Sequence, residues 1–530
     1  MCPRGRTKQG RRLAAVLLII SCASGAARGE TDSFAVKQGA ERRAAKQTTR
    51  PTTAPAPLEF HLTYDAKVAP GPYSGRIWLM GSTLARGEPR HGPNWLRPDP
   101  FLSAEVRDWR PGEPLRITGE TDGFPGKVRD WPRGRLRVQA VMNLAGDERH
   151  APGAPGNGYS RVASVRIGSE DGGPVALRIN RVAPPLRIID DPRLRWIETA
   201  SPLLSAFYGR EVRMRAAACL PQGWSTEGER YPAVYHVPGF GGTPREVILH
   251  RIRGPAREVE FVHVVLDPTC PLGHHAFADS SNNGPRGRAL VEELIPRLEE
   301  DLHLIPQAHG RYLTGHSSGG WSVLWLQIQY PDFFGGAWAV APDPVDFRDF
   351  CGIDLYAREA NVYHDAQGRP RPLARQDGAV VVTMRQFVAM EEMLGPGGQM
   401  HSFEAVFSPA GPDGRPMPLF DRGSGAVDPA AARAWRAYDL ARTLRVRWRD
   451  LGPKLRGKLH VHCGAQDTFY LDGAVRRLAV QLRGLGSDAE VYVAPGRDHG
   501  TIAFDPRVKG RFDEMAERFR AATSQPVAAD

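Results

Sequence analysis

The chain has 530 residues, of which 41% are apolar, and a formal net charge of +11. This length is more than one ordinary domain needs, so the sequence predicts two globular domains after a non-globular N-terminal stretch. The positive charge is scattered among glycines, prolines and acidic residues, whereas a nucleic-acid surface needs a clustered basic face, so we expect no nucleic-acid partner.

The first 27 residues have the order of parts found in an export signal. Basic residues precede an unbroken apolar run from Leu13 to Ile20, which is too short to span a bilayer, and small residues follow it. Cleavage after Ala27 would give a soluble exported protein. Alternatively, residues 19–22 resemble a bacterial lipobox, which would lipidate Cys22 and tether the protein to a membrane. Both routes predict a periplasmic or extracellular location.

Two regions of different composition follow the signal. Residues 28–57 are charged and then rich in threonine, alanine and proline, which cannot bury a core, so we predict a disordered linker. Residues 58–190 contain short segments that alternate apolar and polar side chains between Gly/Pro-rich turns, and this pattern predicts an antiparallel β-sandwich. The domain shows no convincing catalytic cluster. We expect it to pack beside the second domain, with carbohydrate or substrate contact as the alternative.

Residues 196–522 alternate strand patterns with helix patterns. Mostly apolar segments such as Val262–Leu266 are typical of strands that are covered on both faces. The alternation predicts an α/β fold with a doubly wound, mostly parallel sheet. Residues 343–448 interrupt it with many prolines, glycines and aromatic residues, and we expect this insertion to form a lid that shapes the substrate site.

A Gly-x-Ser-x-Gly motif at residues 315–319 lies between a strand pattern and a helix pattern. Ser317 is its central residue, and Gly315 and Gly319 flank it without a Cβ, so strand and helix can approach closely at a strained turn. A nucleophile elbow has this sequence context, with the serine oxygen exposed at the sheet edge. The motif therefore predicts Ser317 as a catalytic nucleophile.

A serine nucleophile needs a base and an acid that orients the base. The strand that ends near Cys463 leads to Asp467, and the following strand leads to His499, so both lie in loops at the sheet edge predicted for Ser317. We predict His499 as the base and Asp467 as the acid. Asp472 and Asp343 remain alternatives for the acid because each lies near the end of a strand or in the loop after it.

Hydrolysis through an oxyanion needs two backbone donors. One is expected to be the amide of Ser318, the residue after the nucleophile. The other is expected from the glycine-rich loop after an early strand, where we predict the amide of Phe240.

Metal ligation is the weaker interpretation of the remaining histidines. His274 and His275, followed by Asp279, have no third ligand at helical spacing, and the chain contains neither H-E-x-x-H nor C-x-x-C. We predict no metal and no cofactor, and we expect residues 273–285 to line the pocket as a polar loop.

Taken together, residues 235–242, 273–285, 315–320, 464–467 and 498–499 resemble the putative esterase family of α/β-hydrolases, which includes esterase D, feruloyl esterases, enterochelin esterases and antigen 85 mycolyltransferases. The resemblance covers roughly residues 196–522, and a β-domain before the hydrolase domain is similar to the enterochelin esterase layout. It implies the α/β-hydrolase fold, Ser317, His499 and Asp467 as the catalytic residues, and the amides of Phe240 and Ser318 as oxyanion donors. The long insertion after Asp343 departs from the compact members of the family, so the resemblance does not extend to the substrate.

The leading hypothesis is an exported serine carboxylic-ester hydrolase that acts on a small-molecule or glycan ester through an acyl-enzyme. The alternatives are acyl transfer to a sugar or lipid alcohol, and a non-catalytic binding protein with the same fold.

Overall fold

The computed structural model describes residues 58–168 and 173–524. The predicted export signal, the lipobox-like tetrad and the linker lie outside the described residues. Within those two ranges, no helix has both the length and the apolar character needed to cross a membrane.

The first part of the described chain is built from strands. These are β1 Phe60–Tyr64, β2 Tyr73–Ser82, β3 Phe101–Trp109, β4 Leu115–Ile117, β5 Gly134–Met142, β6 Gly158–Ser160, β7 Ala163–Ile167 and β8 Val175–Val182. They form one hydrogen-bonded sheet in the order β3-β2-β5-β6-β8-β1-β4, with β7 paired to β5.

The strand pairs of this β-domain run antiparallel, except that β1 and β8 are parallel. The wholly antiparallel pairing expected from the sequence is therefore wrong for this one pair. A parallel neighbour is accessible to β1 because a long stretch of chain separates it from β8. The division into the two facing sheets of a sandwich stays a prediction.

Strand β2 shows how the β-domain meets the rest of the chain. Successive side chains of a strand point to opposite faces. Ile77 and Leu79 accordingly pack into the core of the β-domain, whereas Trp78 and Met80 between them pack into the larger hydrophobic core that follows. The Trp78 indole also donates a hydrogen bond to the Leu394 carbonyl at 2.9 Å. Both faces of β2 are thus buried, which joins the β-domain firmly to the part of the chain that follows it.

The second part of the described chain alternates strands and helices. Its strands are β9 Leu194–Ala200, β10 Arg213–Cys219, β11 Ala233–Val237, β12 Val262–Leu266, β13 Thr269–Cys270, β14 Gly273–His274, β15 Asp279–Ser280, β16 Gly284–Pro285, β17 Arg311–His316, β18 Gly336–Val340, β19 Pro372–Gln376, β20 Ala379–Thr383, β21 Leu459–Gly464 and β22 Glu490–Ala494. Its helices are α1 Pro202–Tyr208, α2 Arg286–Ala289, α3 Ile295–Asp301, α4 Ser318–Gln329, α5 Met384–Leu394, α6 Gln399–Phe407, α7 Pro429–Trp435, α8 Leu440–Lys454, α9 Leu471–Gly484 and α10 Pro506–Thr523.

Eight of these strands form the central sheet, in the order β22-β21-β18-β17-β11-β12-β10-β9. The six strands from β22 to β12 are parallel. At one edge, β10 pairs antiparallel with β12, and β9 pairs antiparallel with β10. Val234, Tyr312 and Trp338 pack with α10 on one face, while their neighbours Tyr235 and Leu313 pack into the core that contains α4 on the other. The sheet is covered on both faces, as the mostly apolar strands predict.

The insertion between β18 and α8 is ordered and packs over the carboxyl ends of the parallel strands. It contains the β19–β20 hairpin and helices α5 to α7. The Gln399 amide of α6 donates to the Asp343 carboxylate at 3.2 Å, and Arg375 of β19 donates to the Asp467 carbonyl at 2.9 Å. The insertion is thus bonded directly to the loops that the sequence predicts to be catalytic.

Candidate active site

Ser317 lies at the turn between β17 and α4, with φ 59° and ψ −125°. This conformation is strained for a residue with a side chain. The glycines on either side make the turn feasible: a Cβ on Gly319 would lie 1.9 Å from the Val237 carbonyl oxygen, and a Cβ on Gly315 would lie 2.2 Å from the Gly319 carbonyl oxygen. The Gly-x-Ser-x-Gly pattern is therefore required by the close approach of strand and helix, and it projects Ser317 from the sheet edge.

His499 and Asp467 form a buried pair at the same edge. The Nδ1 of His499 lies 2.8 Å from Oδ2 of Asp467, and the two residues follow β22 and β21 respectively. The other carboxylate oxygen of Asp467 accepts the backbone amides of Phe469 at 2.9 Å and Leu471 at 3.3 Å. The carboxylate is thereby held in one orientation against the ring.

The two partners shift each other's pKa in opposite directions. Burial on its own would raise the pKa of the Asp467 carboxyl, but the charge and hydrogen bond of His499 outweigh it and hold that pKa below its ordinary value. Burial would likewise lower the pKa of His499, but the Asp467 charge and hydrogen bond outweigh it and raise the pKa above that of an ordinary histidine. The pair is arranged to stabilise an imidazolium.

Of the three carboxylates that the sequence leaves open as the acid, Asp467 is the one that meets His499. Asp343 instead lies 3.5 Å from Ser317 Oγ and accepts a hydrogen bond from Ser318 Oγ at 2.5 Å. Asp472 pairs with Arg375 at 2.9 Å. Burial raises the pKa of Asp343 to about 6.

The side chain of Ser317 contacts Asp343 in this structure and not the histidine. In the described residues, the one hydrogen bond recorded for Ser317 Oγ is the long contact to Asp343. Catalytic hydrogen bonds are often long or misaligned before substrate binds. The three predicted residues thus lie in converging loops, with the His–Asp bond formed and the Ser–His bond not formed.

The two predicted oxyanion donors lie beside the nucleophile. Ser318 begins α4, and Phe240 lies in the loop after β11. That loop runs close to the serine, because a Cβ on Gly239 would lie 3.3 Å from Ser317 Cβ. Within the described ranges, neither the Ser318 amide nor the Phe240 amide donates to another residue. Both amides are therefore available to a ligand oxygen.

Residues 209–472 match the family model described as "Putative esterase". The hydrolase region of this chain belongs to that esterase family. The prediction of the family and of an esterase is confirmed, and the protein is an enzyme of the serine hydrolase and esterase class. The matched residues include Ser317 and Asp467 and end before His499.

Several solved structures resemble this chain at low sequence identity. A ferulic acid esterase is 13% identical, with 62% of this chain and 99% of that chain covered and a TM-score of 0.39. An S-formylglutathione hydrolase from Agrobacterium tumefaciens is 14% identical over 62% of this chain and 94% of that chain, with a TM-score of 0.37. The fluorophosphonate-binding serine hydrolase F of Staphylococcus aureus is 12% identical over 61% and 98%, with a TM-score of 0.36. No curated protein matches the sequence.

A pocket of the esterase lies next to Ser318 and Asp343. This small cavity is also lined by the polar residues His274 and Gln399 and by the apolar residues Trp321, Phe403, Val406 and Phe407. His274 lies here as the sequence predicts for residues 273–285. Its Nε2 donates to the Pro238 carbonyl at 3.0 Å and its Nδ1 accepts the Ala276 amide at 3.1 Å, so neither nitrogen is free to bind a metal.

Two residues of the β-domain reach this site and are missed by the sequence analysis. The Trp95 ring packs 5.3 Å from the Phe240 ring and 6.4 Å from the Phe469 ring, and Phe469 in turn packs 4.9 Å from His499. Arg149 stacks on the Phe240 ring at 4.8 Å. A tryptophan between Pro93 and Pro98 is a weak signal of such a role, and nothing in the pattern around Arg149 indicates it.

In the part of the chain that the structure describes, two groups of three side chains have the spacing of metal ligands: His236, His250 and His263, and His460, Glu490 and Glu514. In the first group, Arg253 donates to His250 Nδ1 at 3.0 Å, and a guanidinium in this position disfavours a second cation. In the second group, Trp338 donates to Glu514 at 2.7 Å. His460 lies near the start of β21, away from the end that leads to Asp467. Neither group is at Ser317, and the expected absence of a metal stays a prediction.

Proposed function

We propose that this esterase is an exported serine carboxylic-ester hydrolase in which Ser317 is the nucleophile, His499 the base and Asp467 the acid. The observation that carries the proposal is the 2.8 Å hydrogen bond between Asp467 and His499, formed at the sheet edge where Ser317 sits in its strained turn. A serine hydrolase needs this combination, since the acid fixes the tautomer of the base.

The first step is the activation of Ser317. Because Asp467 accepts a hydrogen bond from His499 Nδ1–H, the lone pair of His499 is on Nε2. Rotation of the serine side chain away from Asp343 brings Oγ–H towards this nitrogen. Oγ then attacks the ester carbonyl carbon while His499 takes the proton, and Asp467 stabilises the imidazolium.

The second step depends on the backbone. The attack places a negative charge on the former carbonyl oxygen, and the amides of Ser318 and Phe240 are proposed to bind it. The Ser318 amide is at the N-terminus of α4, where the helix dipole also favours negative charge. The intermediate collapses when His499 returns its proton to the leaving alkoxide, which leaves an acyl group on Ser317.

Water then attacks the acyl-enzyme with His499 again as base, which releases the acid and restores Ser317. Every step uses side chains and amides of this chain, so the proposed mechanism requires no cofactor. The aromatic rings of Trp95, Phe240 and Phe469 beside His499 support a small-molecule or glycan ester with an apolar or aromatic portion as the substrate.

The experiment combines a covalent probe with turnover. Wild-type protein should react with a fluorophosphonate at Ser317 alone and hydrolyse p-nitrophenyl butyrate. Ser317→Ala should lose both reactions, with a rate at least roughly a thousandfold lower. The matched control is Ser322→Ala in the same helix, whose hydroxyl bonds to the Ser318 carbonyl away from the reacting atoms. Near-normal turnover by a folded Ser317→Ala protein would disprove the proposal, and added alcohol acceptors would reveal acyl transfer.

Export is proposed from residues 1–27 and has a separate test. Mass spectrometry of the mature N-terminus should show either a chain that begins after Ala27 or a lipidated Cys22. In the lipidated case Cys22→Ala should release the protein from membranes, since each buried methylene contributes about 0.8 kcal/mol to binding. An uncleaved Met1 in the cytoplasm would contradict export by either route.

A further inference from the structure

Arg149 is a half-buried cation beside the candidate active site, and no carboxylate of the described residues forms an ion pair with it. It lies in the segment between β5 and β6, and burial lowers the pKa of its guanidinium. Among the described residues, none forms a hydrogen bond or ion pair with its side chain. The negative charge of the Glu391 carboxylate acts on the guanidinium and raises its pKa, but burial outweighs this effect. Glu391 accepts the amides of Gln399 and Met400 instead. Arg149 is half-buried, so its charge is partly removed from water with no partner to compensate, and its position calls for an explanation.

The guanidinium lies against the loop that carries a proposed oxyanion donor. It stacks on the Phe240 ring, and a Cβ on Gly241 would lie 3.9 Å from its Nη2. Gly239, the residue before Phe240, lies against Ser317. A substrate whose carbonyl oxygen binds the Phe240 amide would therefore have part of its remaining structure near Arg149.

Trp95 defines the neighbouring wall. Its ring contacts Phe240 at 5.3 Å, Phe387 of the insertion at 5.1 Å, and Phe469 beside His499 at 6.4 Å. Like Arg149, Trp95 comes from the β-domain. The β-domain thus supplies an aromatic ring and a guanidinium, and both contact the Phe240 ring of the proposed oxyanion loop.

We propose that Arg149 binds a carboxylate on the ester substrate, so that the β-domain selects anionic esters. The planar guanidinium presents a fork of N–H donors that matches a carboxylate in two parallel hydrogen bonds. The partly enclosed site strengthens such a pair relative to one in open water. This inference rests on the proposed ester hydrolysis and adds the substrate class to it.

Stacking on Phe240 is the competing explanation, in which Arg149 only packs against the oxyanion loop. The two explanations differ in one measurable quantity, the dependence of kcat/KM on the charge of the substrate. Packing affects neutral and anionic esters alike, whereas a carboxylate-binding guanidinium affects only the anionic ester.

The experiment compares esters matched in length, because the position of the carboxylate is open. One pair places it in the acyl group: p-nitrophenyl valerate and the mono-p-nitrophenyl ester of glutaric acid. The other places it in the alcohol: 4-methylphenyl acetate and 4-carboxyphenyl acetate. Both pairs are measured with wild type, Arg149→Met, Arg149→Lys and the control Arg135→Met, an exposed arginine of β5 in the same domain.

In at least one pair, Arg149→Met should lower kcat/KM for the anionic ester by roughly 10- to 100-fold more than for the neutral ester, the range expected when a hydrogen-bonded charge is lost. Arg149→Lys should recover part of the difference, and Arg135→Met should match wild type.

Equal losses for neutral and anionic esters in both pairs, with unchanged melting temperature, would overturn the inference in favour of packing. If wild type hydrolyses the neutral esters through Ser317 while Arg149→Met changes kcat/KM by the same factor for the neutral and the anionic ester of each pair, only this inference fails; if wild type hydrolyses no ester, the proposed function fails.

Discussion

The ring of His316, the residue before the nucleophile, donates from Nε2 to the backbone carbonyl of His499 at 2.9 Å. The two rings also pack with their centroids 4.6 Å apart. The elbow and the loop of the proposed base are therefore bonded to each other independently of the serine side chain. Burial lowers the pKa of His316 to about 4, so this ring is neutral at physiological pH and holds its proton on the nitrogen that makes the bond.

His316→Phe should keep the ring packing and remove this hydrogen bond. We expect kcat to fall roughly three- to tenfold, since a hydrogen bond contributes about 0.5–1.5 kcal/mol. Fluorophosphonate labelling should still occur at Ser317. A loss as deep as that of His499→Ala would instead assign the base role to His316.

Replacement of the three aspartates by asparagine should separate their roles. Asp467→Asn should lower kcat by roughly three to four orders of magnitude, because the amide no longer holds the tautomer and charge of His499. Asp472→Asn should remain close to wild type, since Asp472 pairs with Arg375 and Arg476 on the outside of the site. Steady-state rates of Asp467→Asn, Asp472→Asn and Asp343→Asn measure the contribution of each carboxylate to catalysis, and their melting temperatures show whether each variant is folded. A mild Asp467→Asn beside a severe Asp343→Asn would show that Asp343 is the acid.

The dependence of the rate on pH should report His499. The base acts in its neutral form, and the Asp467 charge raises its pKa above that of an ordinary histidine, so kcat/KM should rise with pH through a midpoint above about 6.5. The Asp343 charge also raises the pKa of His499. Asp343→Asn should therefore shift the midpoint to lower pH, and a shift to higher pH would contradict this arrangement.

Two glycine substitutions should have opposite effects. Gly319→Ala would place a Cβ 1.9 Å from the Val237 carbonyl oxygen, so the elbow must move, and activity should fall by about a hundredfold or more. Gly510 is in α10 with nothing within 4 Å of an added Cβ. Gly510→Ala should stabilise the protein by about 0.5–1 kcal/mol, because alanine is the better helix former. Thermal melts and p-nitrophenyl butyrate turnover test both, and an active Gly319→Ala would disprove the close-approach argument.

The local features of the site were predictable from the sequence. The Gly-x-Ser-x-Gly motif and the loops that carry Asp467 and His499 follow from short patterns, since strand periodicity and turn residues act over a few positions. The esterase family follows from the same segments. Alternation in β1 likewise predicts which of its side chains are buried. It carries no information about which strand pairs with β1 or in which direction, and the parallel pairing of β1 with β8 was therefore not predicted.

Tertiary structure alone decided which carboxylate meets His499 and which side chains surround Ser317. The sequence favours Asp467 and leaves Asp472 and Asp343 as alternatives, because each lies near the end of a strand or in the segment after it. Only the paths of the loops bring Asp467 to the ring. Trp95 and Arg149 reach the site from another domain because both faces of β2 are buried against separate cores. Contacts between residues so distant in the chain depend on strand order and domain packing, which are properties of the whole fold and not of any local pattern.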